Sequence, residues 1–237
     1  VMSGSGLRLM PKDTSHDIAG RFLSALQLGK GDLQRVHTLP MAQLLAVQVL
    51  FERSDRAVGE APRAFAPVVN GTDIPRHPFD PDAPSISAAV PMVIGTTLDE
   101  RAYRRANFDL DEAGLLKFAE GKLADRGGSG KALEAEAARL VAMYRAEDGK
   151  ASPFILQSRM DTDTNFRLGA QLQADRKATQ ALAPVWTYLW KTPSPAFGGR
   201  YGAPHGVDIG PSLHDIRHGL NGPSAEQLGL ADQLASA

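Results

Sequence analysis

The sequence predicts an α/β fold in which a mainly parallel sheet carries helical insertions. Val90–Thr96 is apolar on both faces, as expected for an interior strand of a parallel sheet. Val185–Trp190 is rich in aromatic and β-branched residues, which predicts a second strand. A long helical stretch separates the two strands, and each strand leads into a loop with a chemically active side chain. This order places the chemistry at the carboxyl ends of strands, as is typical of open α/β sheets.

Helical spacing of apolar residues predicts most of the other elements. A first helix is predicted for Asp13–Leu28. Gly29 follows it directly, and glycine is a residue type that often terminates a helix. The further predicted helices are a short one capped by Asp32, then Pro40–Arg53, Asp111–Asp125, Lys131–Arg145, Asp163–Leu182 and one from Ser224 onward.

Two segments rich in proline and glycine, Ala61–Pro91 and Pro193–Pro211, are predicted to be loops. The chain begins with Val1 rather than Met and stops inside a predicted helix. We therefore expect residues 1–237 to form a single partial domain that is truncated at both ends.

The composition is that of a globular protein and argues against several classes of function. Of the 237 residues, 43% are hydrophobic and 22% are charged, and the net charge is −1. This balance predicts neither a nucleic-acid partner nor an anionic membrane surface. No apolar run approaches the roughly 20 residues of a membrane-spanning helix. The absence of cysteine excludes a cysteine nucleophile and favours a reducing compartment such as the cytoplasm, although any signal peptide would lie upstream of this chain.

Glu100 and His205 have the positions expected of the acid and the base of a hydrolase triad. Glu100 comes shortly after the first strand, and His205 stands between proline and glycine in the loop after the second strand. In α/β-hydrolases the triad follows the chain order serine, acid, histidine. Asp99 and Asp208 are rival acids. An Asp-Glu pair after a strand is also typical of a solvated helix start, so the residues alone leave both interpretations open.

Several segments, in the same order along the chain, are similar to motifs of a known family. Val90–Glu100 (VPMVIGTTLDE) resembles V-P-[LV]-[LM]-I-G-T-x-x-D-E-G, and Ala203–Ile209 (APHGVDI) resembles x-x-H-x-x-E-I. Weaker similarities lie at Met2–Gly4, Phe65–Gly71, Ile74–Pro75, Pro78–Phe79, Asp163–Phe166 and Trp186–Trp190. The sequence thus resembles the type B carboxylesterase/cholinesterase-like family of α/β-hydrolases.

The resemblance implies a partial α/β-hydrolase fold, the C-terminal part of a mainly parallel sheet with helical insertions. It implies Glu100 as the acid and His205 as the base in the hydrolysis of a small-molecule carboxylic ester, with no cofactor and no metal. The motifs do not indicate the oligomeric state or the ester specificity. Two positions depart from the family pattern: Arg101 replaces a glycine, and Gly210–Leu213 replaces an apolar run that ends in Phe-Gly.

No serine in the sequence qualifies as the nucleophile of such a triad. The family motif G-x-S-x-G is matched neither by Ser3–Gly6 nor by Gly127–Lys131 (GGSGK), and no His-Gly-Gly segment for an oxyanion hole is present. We therefore expect both motifs to lie upstream of Val1. The chain alone is then expected to be inactive, because removing a triad serine costs roughly 10⁶-fold in rate.

Three alternative interpretations compete with this one. A cholinesterase-like binding or adhesion protein would have the same fold without catalysis. His214 and His218 form a near match to the zinc motif H-E-x-x-H, with aspartate in place of glutamate. Gly127–Lys131 invites comparison with a phosphate-binding loop, but its spacing is wrong and no strand precedes it, so a helix–helix linker is expected.

Overall fold

The computed structural model describes residues 2–3, 7, 9–54, 66–104, 106–216, 219–222 and 224–236, with the backbone alone for 51–54 and 104. The chain divides into two compact units. One unit is Leu7–Ser85, and the other combines Val1–Gly6 with Ile86–Ala237.

Leu7–Ser85 is a helical unit. Its helices are α1 (Lys12–Ala25), the short α2 (Leu33–Val36) and α3 (Met41–Ser54). The two longer helices match the predictions Asp13–Leu28 and Pro40–Arg53 to within a few residues at their ends. One core joins these two helices. It is made by Ile18 and Leu23 of α1, Val47 of α3, and the flanking residues Met10, Leu26 and Leu28.

The second unit contains a parallel sheet of three strands. These are β1 (Met2–Ser3), β2 (Met92–Thr97) and β3 (Val185–Trp190), in the order β1-β2-β3. The central position of β2 explains its apolar composition on both faces, and Ile94 is completely buried. Both predicted strands are confirmed, β3 with the same bounds and β2 shifted by one or two residues.

Between β2 and β3 the chain forms a series of helices. They are α4 (Glu112–Ala124), α5 (Gly130–Glu147), α6 (Pro153–Thr162), a π-helical turn (Asp163–Arg167) and α7 (Leu168–Thr179). Helices α4, α5 and α6 share a core, and α7 packs against β2 and β3. The predicted helix Asp163–Leu182 is thus part of a longer helical stretch that already begins at Pro153.

After β3, the short helix α8 (Ile209–Ser212) packs against the last helix, α9 (Ala225–Ala235). Trp190 from the end of β3, together with Ala203 and Val207 from the following loop, forms the core beneath them. The predicted α/β fold with helical insertions is confirmed, and both loops that follow long strands lie at the same edge of the sheet.

Candidate active site

The structure brings Glu100 and His205 into direct contact. Oε2 of Glu100 lies 2.6 Å from Nδ1 of His205, and Oε1 accepts a hydrogen bond of 2.8 Å from the Thr97 backbone N–H. Glu100 is completely buried, whereas 39% of the His205 side chain is exposed. A buried carboxylate therefore holds one imidazole nitrogen while part of the ring remains open to a reactant. This is the geometry that a general base and its orienting acid require.

Asp99, the first rival acid, does not contact the imidazole. It contacts the loop that carries His205, which lies between β3 and α8 (residues 191–208) and is called the histidine loop below. Its Oδ2 accepts a hydrogen bond of 2.8 Å from the Ala203 N–H, and its Oδ1 lies 2.9 Å from Nε of Arg159 on α6. Burial raises the pKa of Asp99, and the opposing effects come from the Ala203 N–H and the Arg159 charge. Both carboxylate oxygens are thus occupied by groups other than His205.

Asp208, the second rival acid, joins the strands of the sheet to the histidine loop. Its Oδ2 accepts hydrogen bonds from the Ser3 hydroxyl on β1 (2.7 Å) and the Tyr188 hydroxyl on β3 (2.8 Å). Burial raises the pKa of Tyr188, and the neighbouring Asp208 carboxylate raises it further. The tyrosine therefore stays protonated and donates to Asp208, which contacts hydroxyl groups and not the imidazole.

Two aromatic rings flank His205. Tyr103, just after Glu100, stacks on the imidazole with ring centroids 5.7 Å apart and an interplanar angle of 22°. Phe166 lies at the same distance with its plane tilted by 43°. Phe166 is one residue of the Asp163–Phe166 motif, whereas nothing in the sequence singled out Tyr103. An aromatic residue three positions after a candidate acid was the available signal.

The π-helical turn places two residues beside Glu100 and His205. It carries Phe166 and also Arg167, whose guanidinium donates to the carbonyls of Thr97 (3.3 Å) and Leu98 (3.1 Å) and pairs with Asp163. These carbonyls belong to the last residue of β2 and to the residue after it, three and two positions before Glu100. Such turns insert one residue into a helix and recur at functional sites. Arg167 thus ties the π-helical turn to the end of the strand that precedes Glu100.

Arg101, which departs from the family pattern, has a structural partner that the sequence could not indicate. Its Nε lies 2.8 Å from Asp161 on α6, a buried carboxylate that also pairs with Lys122. Burial raises the pKa of Asp161, but the Lys122 and Arg101 contacts outweigh it and hold the pKa below its usual value. The arginine therefore anchors the residue after Glu100 to the helical insert.

The alternative sites do not assemble in the part of the chain that the structure describes. His214 pairs with Asp232 on α9, and His218 lies outside the described residues. Within the described ranges no cluster of three His, Asp or Glu side chains could hold a metal ion. Gly127–Ser129 lies in the connection between α4 and α5, and Gly130 and Lys131 begin α5, so the predicted helix–helix linker is confirmed. None of the described helices is long and apolar enough to cross a membrane.

Comparison with known proteins finds that the chain is similar to esterases. The chain is 28% identical over 216 residues to phenmedipham hydrolase of Pseudarthrobacter oxydans, covering 88% of this chain and 40% of that protein. It is 24% identical over 202 residues to para-nitrobenzyl esterase of Bacillus subtilis (strain 168), covering 83% of this chain and 37% of that protein. A solved PNB esterase structure matches with a TM-score of 0.60 at 23% identity, over 100% of this chain and 46% of that chain.

These matches establish the α/β-hydrolase fold, although no protein-family model matches the chain. The chain spans about two fifths of the length of the curated relatives it matches. The expected similarity to type B carboxylesterases is confirmed by the esterase names of the relatives and structural neighbours.

Proposed function

We propose that this chain, a relative of bacterial carboxylesterases, supplies the acid and the base of a serine hydrolase that cleaves carboxylic esters. The observation that supports the proposal most directly is the 2.6 Å contact between Oε2 of Glu100 and Nδ1 of His205. The matching proteins include a para-nitrobenzyl esterase, which agrees with an ester substrate. In this proposal residues 1–237 form part of one α/β-hydrolase domain, which the structural match over 100% of the chain supports.

In this mechanism His205 transfers protons and Glu100 orients it. With Nδ1–H donated to the Glu100 carboxylate, Nε2 of His205 carries the free lone pair and can accept a proton from a serine hydroxyl. The serine oxygen attacks the ester carbonyl, and His205 then returns the proton to the leaving alcohol. Water hydrolyses the acyl-enzyme by the same proton transfers in a second round. The buried Glu100 stabilises the imidazolium that forms in each round.

The nucleophile is proposed to come from outside these 237 residues. No serine in the sequence stands in a G-x-S-x-G motif. Among the described residues, no hydroxyl is hydrogen-bonded to Nε2 of His205. Ser3, the described serine on β1, instead donates to Asp208.

The first test uses the 237-residue chain. Its rate of p-nitrophenyl acetate hydrolysis is expected to equal that of a His205→Ala control, because neither contains the nucleophile. A clear rate that depends on His205 would contradict the external serine.

The second test determines the coding sequence upstream of the codon for Val1. A G-x-S-x-G motif upstream of Val1 is expected, and in that longer protein Glu100→Gln and His205→Ala should each lower kcat by roughly 10⁴-fold or more. A reading frame without such a serine, or a longer protein whose ester hydrolysis ignores both substitutions, would favour a cholinesterase-like binding protein instead.

A further inference from the structure

We propose that Asp99 is a positioning residue that clamps the loop carrying His205 onto the loop carrying Glu100. The proposal rests on the proposed function in one respect, namely that His205 acts as a base. The geometry of the clamp itself does not depend on any reaction.

The clamp consists of two reciprocal hydrogen bonds between Asp99 and Ala203. The Asp99 N–H donates to the Ala203 carbonyl over 2.9 Å, and the Ala203 N–H donates to Oδ2 of Asp99 over 2.8 Å. Asp99 directly precedes Glu100, and Ala203 stands two residues before His205. The acid and the base are therefore each within two residues of the same pair of hydrogen bonds.

The clamp extends the sheet beyond the ends of its strands. β2 and β3 end at Thr97 and Trp190, and the Leu98 N–H still donates to the Trp190 carbonyl over 2.9 Å. The next pairing partner of β2 is no longer β3 but the histidine loop, since Asp99 bridges to Pro204 in parallel register. The Ala203 carbonyl supplies the acceptor that β3 no longer provides, and the Asp99 carboxylate accepts the Ala203 N–H in return. In this way a loop without regular structure is held in the register of the sheet.

An arginine on helix α6 fixes the orientation of the Asp99 carboxylate. Arg159 on α6 places Nε 2.9 Å from Oδ1 of Asp99 and Nη1 3.0 Å from Asp148. Asp99 is only 1% exposed, so a carboxylate here requires such a partner. The guanidinium therefore compensates the buried charge and aims Oδ2 at the Ala203 N–H.

A glycine in the histidine loop leaves room for the Asp99 carboxylate. Gly202 has φ +60°, and a Cβ at this position would lie 2.2 Å from Oδ2 of Asp99. A residue with a side chain would thus push the carboxylate away from Ala203 and would also strain the backbone. The glycine and the aspartate form one contact, although they lie far apart in the sequence.

The test measures the His205 Nδ1–H proton in the 237-residue chain by ¹H NMR. A low-field signal is expected from the hydrogen bond to Glu100, and its loss in His205→Ala assigns it. In Asp99→Asn, the amide NH2 must face either the Ala203 N–H or the Arg159 guanidinium, so one of the two contacts that hold the side chain in the clamp is lost while the shape is kept. The signal is expected to disappear or to exchange with solvent about tenfold faster, because hydrogen bonds to charged groups are among the stronger ones.

Asp148→Asn is the matched control. It removes the other carboxylate partner of Arg159 but leaves the contacts of Asp99 in place, so the His205 signal should be unchanged. An unchanged signal in Asp99→Asn, or an equal loss in Asp148→Asn, would overturn the proposal. Gly202→Ala displaces the carboxylate without changing any charge and is expected to reproduce the effect of Asp99→Asn.

A measurement on the unmodified chain covers the case in which the Asp99 and Gly202 variants do not fold. The Ala203 amide is expected to exchange as slowly as the amides that pair β2 with β3, whereas exchange at the rate of an open loop would overturn the clamp. Neither readout involves ester turnover. A longer protein that fails to hydrolyse esters would therefore refute the proposed function and leave the clamp standing. Conversely, a failed NMR or amide-exchange test would refute the clamp and leave the proposed function standing.

Discussion

Gly95 on β2 offers a stringent test of how tightly the two long strands are joined. It lies opposite Tyr188 on β3, and a Cβ at Gly95 would stand 2.4 Å from both the Tyr188 backbone oxygen and its ring carbon Cδ1. The backbone oxygen belongs to the strand pairing, and the ring is tethered through its hydroxyl to Asp208. Because neither atom can move without disturbing the strand pairing or the hydrogen bond to Asp208, Gly95→Ala should force the two strands apart.

The expected cost is about 1–3 kcal/mol, the usual range for inserting a methyl group into a filled interior. Gly121→Ala provides a matched control, since Gly121 lies inside α4 and a Cβ there meets nothing within 4 Å. That substitution should stabilise the chain by roughly 0.5–1 kcal/mol, because alanine loses less backbone entropy than glycine in a helix. The same chemical change is thus expected to have opposite signs at the two sites.

Urea unfolding followed by tryptophan fluorescence measures this difference. The two tryptophans, Trp186 and Trp190, both lie in β3, so their emission reports on the unit that holds the sheet. For an m-value of about 2 kcal/mol/M, the unfolding midpoints of the two variants should differ by roughly 1–2 M. Equal midpoints, or a more stable Gly95→Ala, would refute the tight approach of β2 to Tyr188 on which the placement of both loops depends.

Three further predictions concern stability. The pKa of Asp161 is held below its ordinary value of 3.8, so its ion pairs should stabilise the chain above about pH 4, and this contribution should be lost as the pH falls through the lowered pKa. The gap in unfolding free energy between the unmodified chain and Asp161→Asn should therefore shrink between pH 7 and pH 3, and a constant gap would contradict the ion pairs. Leu156→Ala, in the completely buried core of α6, should cost about 2–5 kcal/mol in a urea titration, and a cost below 1 kcal/mol would disprove its burial. Tyr188→Phe should cost about 1–3 kcal/mol because it removes one of two hydroxyl donors to the buried Asp208, and a neutral result would show that this hydrogen bond contributes nothing.

The strands and the Glu100–His205 pairing were within reach of sequence reasoning. An apolar strand interior to a parallel sheet is a local pattern, and β3 has the predicted bounds Val185–Trp190. The order of acid and base, each after a strand, follows from the rule that parallel strands present their carboxyl ends at one edge. The contact of 2.6 Å between the two side chains agrees with this order.

Helix α6 was missed for a physical reason. Eight of its ten residues, including the polar Gln157, Ser158 and Asp161, are buried, so no solvent-facing side interrupts the pattern at helical spacing. Hydrophobic periodicity indicates a helix only when one face of the helix is exposed to solvent and the opposite face is buried. A helix buried nearly all round lacks that contrast.

The sequence by itself determined the α/β class and the two long strands, because these depend on residues that are close together along the chain. For the acid that would orient His205 it offered Asp99, Glu100 and Asp208, and it favoured Glu100 only through the family resemblance. The tertiary structure alone decided which of three neighbouring carboxylates meets the imidazole. Asp99 is drawn to Arg159, Asp208 to Ser3 and Tyr188, and only Glu100 reaches His205. A buried carboxylate must find donors within about 3 Å, and which donors lie there is set by how distant segments pack.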